Sequence, residues 1–184
     1  DRLDELDRIA GDGGSAATIA FLASGMEGLK VRLTAKADSA AGVAQILAAE
    51  ESVVRGILGG VVFGVDDDTM ESVVLDLLRD RGMTLGVAES LTGGMIGSRI
   101  CDVPGASDVF RGSIVSYASD VKFDLLGVAD GPVVTTDAAL AMAQGARRAL
   151  GADVGIAATG VAGPDEQEGR KPGTVCMAIA VGEP

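Results

Sequence analysis

The sequence predicts an α/β protein: a layered α/β/α domain over residues 69–184, preceded by a smaller α+β unit over residues 15–68. Three observations carry this expectation. From Gly82 onward, short apolar runs alternate with helical stripes, the order of a sheet covered by helices. Apolar residues make up 47% and aromatics only 3%, so a core can form and must be built from Ala, Val, Leu and Ile. The 27 glycines, about twice the usual share, gather at the ends of the apolar runs, where tight turns and backbone-lined sites arise.

Residues 1–14 read as a linker or the remnant of an upstream domain, and the Gly/Ser-rich stretch to residue 28 as its continuation, with a short apolar patch at Ile19–Leu22. Leu29–Ala35 alternates apolar and polar residues, the pattern of a half-buried strand. Ser39 is a candidate N-cap for a helix with apolar positions at Val43, Ile46, Leu47, Val53, Val54 and Ile57, ended by Gly59-Gly60. Val61–Val65 reads as a second strand, giving a strand–helix–strand unit. Asp66-Asp67-Asp68 then starts the next helix, whose stripe is Met70, Val73, Val74, Leu75, Leu77 and Leu78; acidic residues favour the positive end of a helix dipole, so capping is expected here rather than a metal site.

In the second half, Met83–Ala88 is a buried-strand candidate, followed by Glu89-Ser90-Leu91-Thr92-Gly93-Gly94 and a helix from Met95 to Ile100. Ser113–Tyr117 is the next strand, and Lys122, Leu125 and Leu126 lie on a helical stretch. Thr135 or Thr136 caps a strongly periodic helix through Leu150, and strands follow at Val154–Ala158 and 174–180. The chain starts without methionine and stops on a strand-like run, so a fragment of a longer protein is expected.

Composition excludes several chemistries. There is no histidine, which rules out Ser-His-Asp and Cys-His catalysis and His-ligated metals. A net charge of −12, most of it in the first 80 residues, makes nucleic acid an unfavourable partner. The two cysteines are far apart and form no ligand pair, which fits a reducing, cytoplasmic setting. No apolar run is long enough for a membrane helix, so no membrane partner is expected.

The glycine-rich segments at 90–94 and 159–163 each follow an apolar strand, where backbone N–H groups can hold an anion or oxyanion, though such loops also serve as plain turns. Without histidine, a serine nucleophile needs a lysine, carboxylate or tyrosine as its base. The second half has only two lysines, Lys122 and Lys171, and Lys122 lies five residues after the sole tyrosine, Tyr117. Each also has an ordinary reading, Lys122 on a solvated helix face and Tyr117 in the core with its hydroxyl at the surface.

Five stretches decide between these readings: Val87-Ala88-Glu89-Ser90-Leu91-Thr92-Gly93-Gly94; Pro104-Gly105-Ala106-Ser107; Phe110-Arg111-Gly112 with Tyr117 and Lys122; Thr159-Gly160-Val161-Ala162-Gly163-Pro164; and Lys171-Pro172-Gly173-Thr174-Val175. In this order they resemble the C-terminal domain of the competence- and damage-inducible (CinA) protein family, a nicotinamide mononucleotide deamidase. Residues 15–68 resemble, more weakly, the KH-like middle domain of that family. The resemblance implies a Ser/Lys amidohydrolase with Ser90 as nucleophile, Lys122 as base and Tyr117 assisting, with no cofactor and no metal. Its partner would be a small-molecule pyridine nucleotide, and a homo-oligomer is expected. N–H groups near Thr92 and Gly93 would hold the oxyanion, with Gly94 beside them in the substrate site; Arg111, Gly112, Thr159, Gly160, Ala162 and Gly163 are candidates for the ribose-phosphate end. The family usually has Cys where Leu91 stands and often Ser at Thr135, and its domain continues beyond residue 184 into a Gly-Asp-Arg segment. The alternative is a non-catalytic regulatory protein of the competence and DNA-damage response. RNA binding would need a basic Gly-x-x-Gly loop between helices, whereas Gly25-Met26-Glu27-Gly28 carries a glutamate and precedes a strand.

Overall fold

The computed structural model describes residues 17–23 and 25–182, so the expectation for residues 1–14 lies outside the described residues. The chain divides into two units, Asp1–Met70 and Glu71–Pro184.

In the first unit, β1 (Ala17–Ala23) and β2 (Leu29–Ala35) form an antiparallel hairpin, with Ala23 opposite Leu29 and Ala17 opposite Ala35. Gly25 and Gly28 take positive φ of 52° and 86° in the turn, which glycine does without steric cost. Gly25–Gly28 thus closes a hairpin and does not join two helices. Helix α1 (Ala40–Leu58) follows; the Ser39 hydroxyl accepts from Gly42 N–H at 3.1 Å, and Gly59 at φ 60° ends the helix with its N–H on the Arg55 carbonyl.

Two expectations fail in this unit. The strand expected at Val61–Val65 is a 3-10 turn over Gly59–Val61 and then an irregular segment, with no strand partner among the described residues. The strand that does pair with β2 is Ala17–Ala23, expected to be linker. The reason is local: a short turn brings β1 onto β2, while Gly64 and Asp68 bend the later segment, the Asp68 carboxylate accepting from Val65 N–H at 2.9 Å. The order is therefore strand–strand–helix.

The second unit holds α2 (Met70–Arg81, which begins at its boundary), β3 (Leu85–Glu89), α3 (Met95–Cys101), β4 (Phe110–Val115), α4 (Ser119–Leu126), α5 (Thr136–Leu150), β5 (Val154–Gly160) and β6 (Val175–Val181). The sheet order is β4-β3-β5-β6: β3 is parallel to both β4 and β5, and β6 is antiparallel to β5. The sheet has helices on both faces. On one, Leu85 and Val87 pack with Leu75 and Leu78 of α2 and Ile100 of α3; on the other, Ala88, Ala157 and Ala180 pack with Met142, Ala143 and Ala146 of α5 and Leu126 of α4. The second interface is built from small residues, so helix and sheet approach closely. A Cβ on Gly155 would overlap the Ala143 carbonyl oxygen, and one on Gly145 the backbone of Leu126.

All five residues of β3 are buried, as expected of a central parallel strand. On the edge strand β6, Val175, Met177, Ile179 and Val181 are exposed, while Ala178 and Ala180 face α5. Among the described residues no helix is long and apolar enough to cross a membrane.

Candidate active site

The carboxyl ends of β3, β4 and β5 lie together because all three run in one direction, and the buried polar residues Ser90, Ser116 and Thr159 stand at those ends. Ser90 directly follows β3. Its N–H donates to the Ala158 carbonyl at 3.0 Å, carrying the ladder with β5 one residue further. On the other side, Ser116 N–H donates to the Glu89 carbonyl at 2.7 Å. The backbone before Ser90 is therefore clamped by both neighbouring strands.

After Ser90 the chain turns sharply. Gly93 N–H donates to the Ser90 carbonyl at 3.0 Å, and Gly93 and Gly94 take φ of 61° and 100°. Helix α3 has no side-chain cap from Gly94. Glu89 supplies one from the strand: its carboxylate accepts from Gly94 N–H (3.1 Å), Ile96 N–H (3.0 Å) and Gly97 N–H (2.8 Å), and from the Ser113 hydroxyl (2.8 Å). Burial would raise the Glu89 carboxyl, but the hydrogen bonds from Gly97, Ile96 and Ser113 outweigh it and hold the group below its ordinary value.

Among the described residues Lys122 is the largest fully buried side chain, 2% exposed, reached from the first turn of α4. Its Nζ donates to the Tyr117 carbonyl at 3.1 Å. Burial lowers its pKa, and the charges of Glu168 and Asp120 oppose that without cancelling it. The solvated-face reading of Lys122 is thus overturned, because α4 turns this residue toward the sheet. The core reading of Tyr117 is overturned too: it is 66% exposed, at the rim.

Ser90 and Lys122 open into one cavity of about 440 Å³, walled also by Leu91, Tyr117, Ser119 and Val133 and by the chain from Thr159 to Gln167. Of the expected binding residues, Thr159, Gly160, Ala162 and Gly163 are on this wall. Thr159 has a structural task, its buried hydroxyl donating to the Val133 carbonyl at 2.9 Å.

Other expectations need correction. Of the three residues expected around the oxyanion, only Thr92 keeps a free N–H among the described residues; Thr92, Gly93 and Gly94 together shape the turn behind Ser90, and none is a wall residue of the cavity. The N–H groups of Gly93 and Gly94 are committed to Ser90 and Glu89, whereas those of Leu91 and Thr92 have no hydrogen bond among the described residues. Arg111 and Gly112 lie at the opposite end of the sheet. They belong to the start of β4, where Phe110 is level with Leu85 and Gly112 with Gly86, and Arg111 Nε donates to the Leu150 carbonyl at 3.3 Å. Strand β4 begins earlier than its apolar run suggests, so these residues are in the sheet and not in a loop.

Two carboxylates that matter here were not expected from the sequence. Glu89 had a legible signal, an acidic residue just before a glycine-rich helix start. Glu168 had none: its Oε1 accepts from Val133 N–H and its Oε2 from Val134 N–H, both at 2.9 Å, across more than 30 positions of sequence. Among the described residues no group of three or more Cys, Asp or Glu side chains is arranged to hold a metal ion.

Comparison with known proteins adds a family to this geometry. Residues 67–184 match the family model described as the CinA C-terminal domain. The chain is 48% identical over 182 residues to a CinA-like protein of Frankia casuarinae, covering 96% of this chain and 41% of the relative. It is 46% identical over 158 residues to a CinA-like protein of a Synechococcus species, covering 83% of this chain and 38% of that one. The chain thus spans about two fifths of the length of these curated relatives. A crystal structure of a competence-damaged protein (CinA) superfamily protein from Escherichia coli is similar with a TM-score of 0.59 at 31% identity, covering 65% of this chain and 75% of that chain.

Proposed function

The chain belongs to the CinA C-terminal domain family, and from that premise we propose that its second unit is a Ser/Lys amidohydrolase acting on the carboxamide of a pyridine nucleotide, with nicotinamide mononucleotide as substrate. The observation that carries this reading is that Ser90 and a buried Lys122 with a lowered pKa open into the same cavity in a protein without histidine.

In this reading Ser90 Oγ attacks the carboxamide carbon while neutral Lys122 Nζ takes the hydroxyl proton. The developing oxyanion accepts from the N–H groups of Leu91 and Thr92, the donors left uncommitted in the turn. Protonated Lys122 returns its proton to the departing nitrogen as the C–N bond breaks and ammonia leaves. Water then attacks the acyl-enzyme as Lys122 takes a proton from it, and Lys122 passes that proton to Ser90 Oγ as the acyl C–O bond breaks, freeing Ser90 and the carboxylic acid product. Tyr117, at the rim, contributes its carbonyl to orient Lys122 Nζ. Asp165 and Glu166 on the wall suit the positive pyridinium ring of such a substrate.

The test is ammonia release from nicotinamide mononucleotide by the wild type, Ser90→Ala and Lys122→Ala proteins. Turnover lost in both variants supports the reading. Turnover surviving Ser90→Ala, or none in the wild type, overturns it for this chain.

A further inference from the structure

The segment after the cavity wall contains a residue that local backbone preference does not favour. Gln167 N–H donates to the Arg170 carbonyl at 3.1 Å and Arg170 N–H to the Gln167 carbonyl at 2.8 Å, closing a two-residue hairpin turn. Its central residues, Glu168 and Gly169, have φ of 56° and 71°, the type I′ pattern. Asn, Asp and Gly suit the first central position; a glutamate there is held in a sparsely populated conformation. Such a residue persists when its surroundings over-determine it. Here each carboxylate oxygen of Glu168 takes one backbone N–H, Val133 and Val134, immediately before the Thr135 N-cap of α5.

Those bonds connect the turn to the site. Val133 lies on the cavity wall, and its carbonyl takes the Thr159 hydroxyl at the end of β5. One carboxylate thus ties the hairpin, the strand of chain before α5 and the end of β5 together. Resting on the Ser90/Lys122 reading, we propose that Glu168 is a positioning residue for Lys122: from its turn it fixes the wall ahead of α5 and presents a negative charge to the buried ammonium.

The charged groups around Lys122 are few. Glu168 acts on it from the hairpin and Asp120 from its own helix; Asp165 and Glu166 line the cavity, Tyr117 offers its carbonyl, and among the described residues no arginine is on the wall. Backbone N–H groups alone could be satisfied by a neutral acceptor. The charge is what a neutral residue would not supply, and it favours the protonated amine, opposing the effect of burial.

The chain has four lysines, so the side-chain carbon signals of a 13C-lysine-labelled protein can be followed individually through a pH titration, with Lys122 assigned by its loss in Lys122→Met. Glu168→Gln and Glu168→Asn remove the charge, the second being suited to the turn, and Glu168→Asp keeps it. The expected result is a Lys122 midpoint moved to lower pH in the two neutral variants and close to wild type in Glu168→Asp. The acid limb of kcat/KM moves the same way. A Lys122 midpoint unchanged in both folded neutral variants overturns the proposal, as does a drop in kcat with no displacement of the pH profile. The titration needs no turnover, so absence of ammonia release by the wild type counts against the amidohydrolase reading alone, and the midpoint still decides Glu168.

Discussion

The carboxylate of Glu89 accepts a hydrogen bond from Gly97 N–H at 2.8 Å, joining the last residue of β3 to the first turns of α3 across the segment that carries Ser90. A nucleophile candidate held between two such fixed points has little freedom, and the clamp is charge-assisted and buried.

Glu89→Gln removes the charge and one of two accepting oxygens that serve three N–H groups and a hydroxyl. The expected loss of stability is about 2–3 kcal/mol at neutral pH, measured by urea unfolding. The Glu89 carboxyl lies lower in the folded chain than in the unfolded one. The wild-type advantage is therefore full above the ordinary glutamate range and is lost as pH falls through the folded value. A difference that stayed constant into strong acid would refute this role.

Lys122→Arg keeps the positive charge but cannot give up a proton near neutral pH. Its expected effect on kcat matches that of Lys122→Ala, a loss on the order of a thousandfold or more. Appreciable deamidation by the arginine variant would show that Lys122 serves as a charge and not as a base.

Burial lowers the Lys122 pKa, so the neutral amine becomes available at a lower pH than for a solvated lysine. The rate constant kcat/KM for the wild type should rise along an acid limb that lies below the ordinary lysine value. That limb should be unaffected by Lys171→Ala, since Lys171 is not on the cavity wall.

Arg111→Ala should leave KM for nicotinamide mononucleotide unchanged, because Arg111 stands at the start of β4 and bonds to the Leu150 carbonyl. A small stability change of about 0.5–1 kcal/mol is the expected cost of that bond. A tenfold rise in KM would mean that Arg111 reaches the substrate after all.

Gly155→Ala should destabilise the second unit by about 1–3 kcal/mol, since the added methyl overlaps the Ala143 carbonyl and α5 must move off the sheet. Thermal unfolding would register this as a clear fall in Tm; an unchanged Tm would show that α5 can shift freely.

Much of this protein is written in local sequence. The alternation in Leu29–Ala35, the caps at Ser39 and Thr135 and the apolar run ending at Glu89 mark their elements because each depends on neighbours within a few residues. Ser90 and Lys122 are singled out by motifs that resemble a known family, whereas the lack of histidine alone leaves them among several readings. Pairing was not legible. Ala17–Ala23 is made mostly of small residues whose strand character depends on β2, and Val61–Val65 has the composition of a strand but no partner for its backbone among the described residues. The same holds at the site. Tertiary structure alone decided that Lys122 is buried and Tyr117 exposed, that Arg111 lies at the far end of the sheet, and that Glu168 bonds to Val133 and Val134. Local propensity reaches only a few residues along the chain, whereas burial, charge proximity and strand register are set by segments that meet only once the sheet has formed.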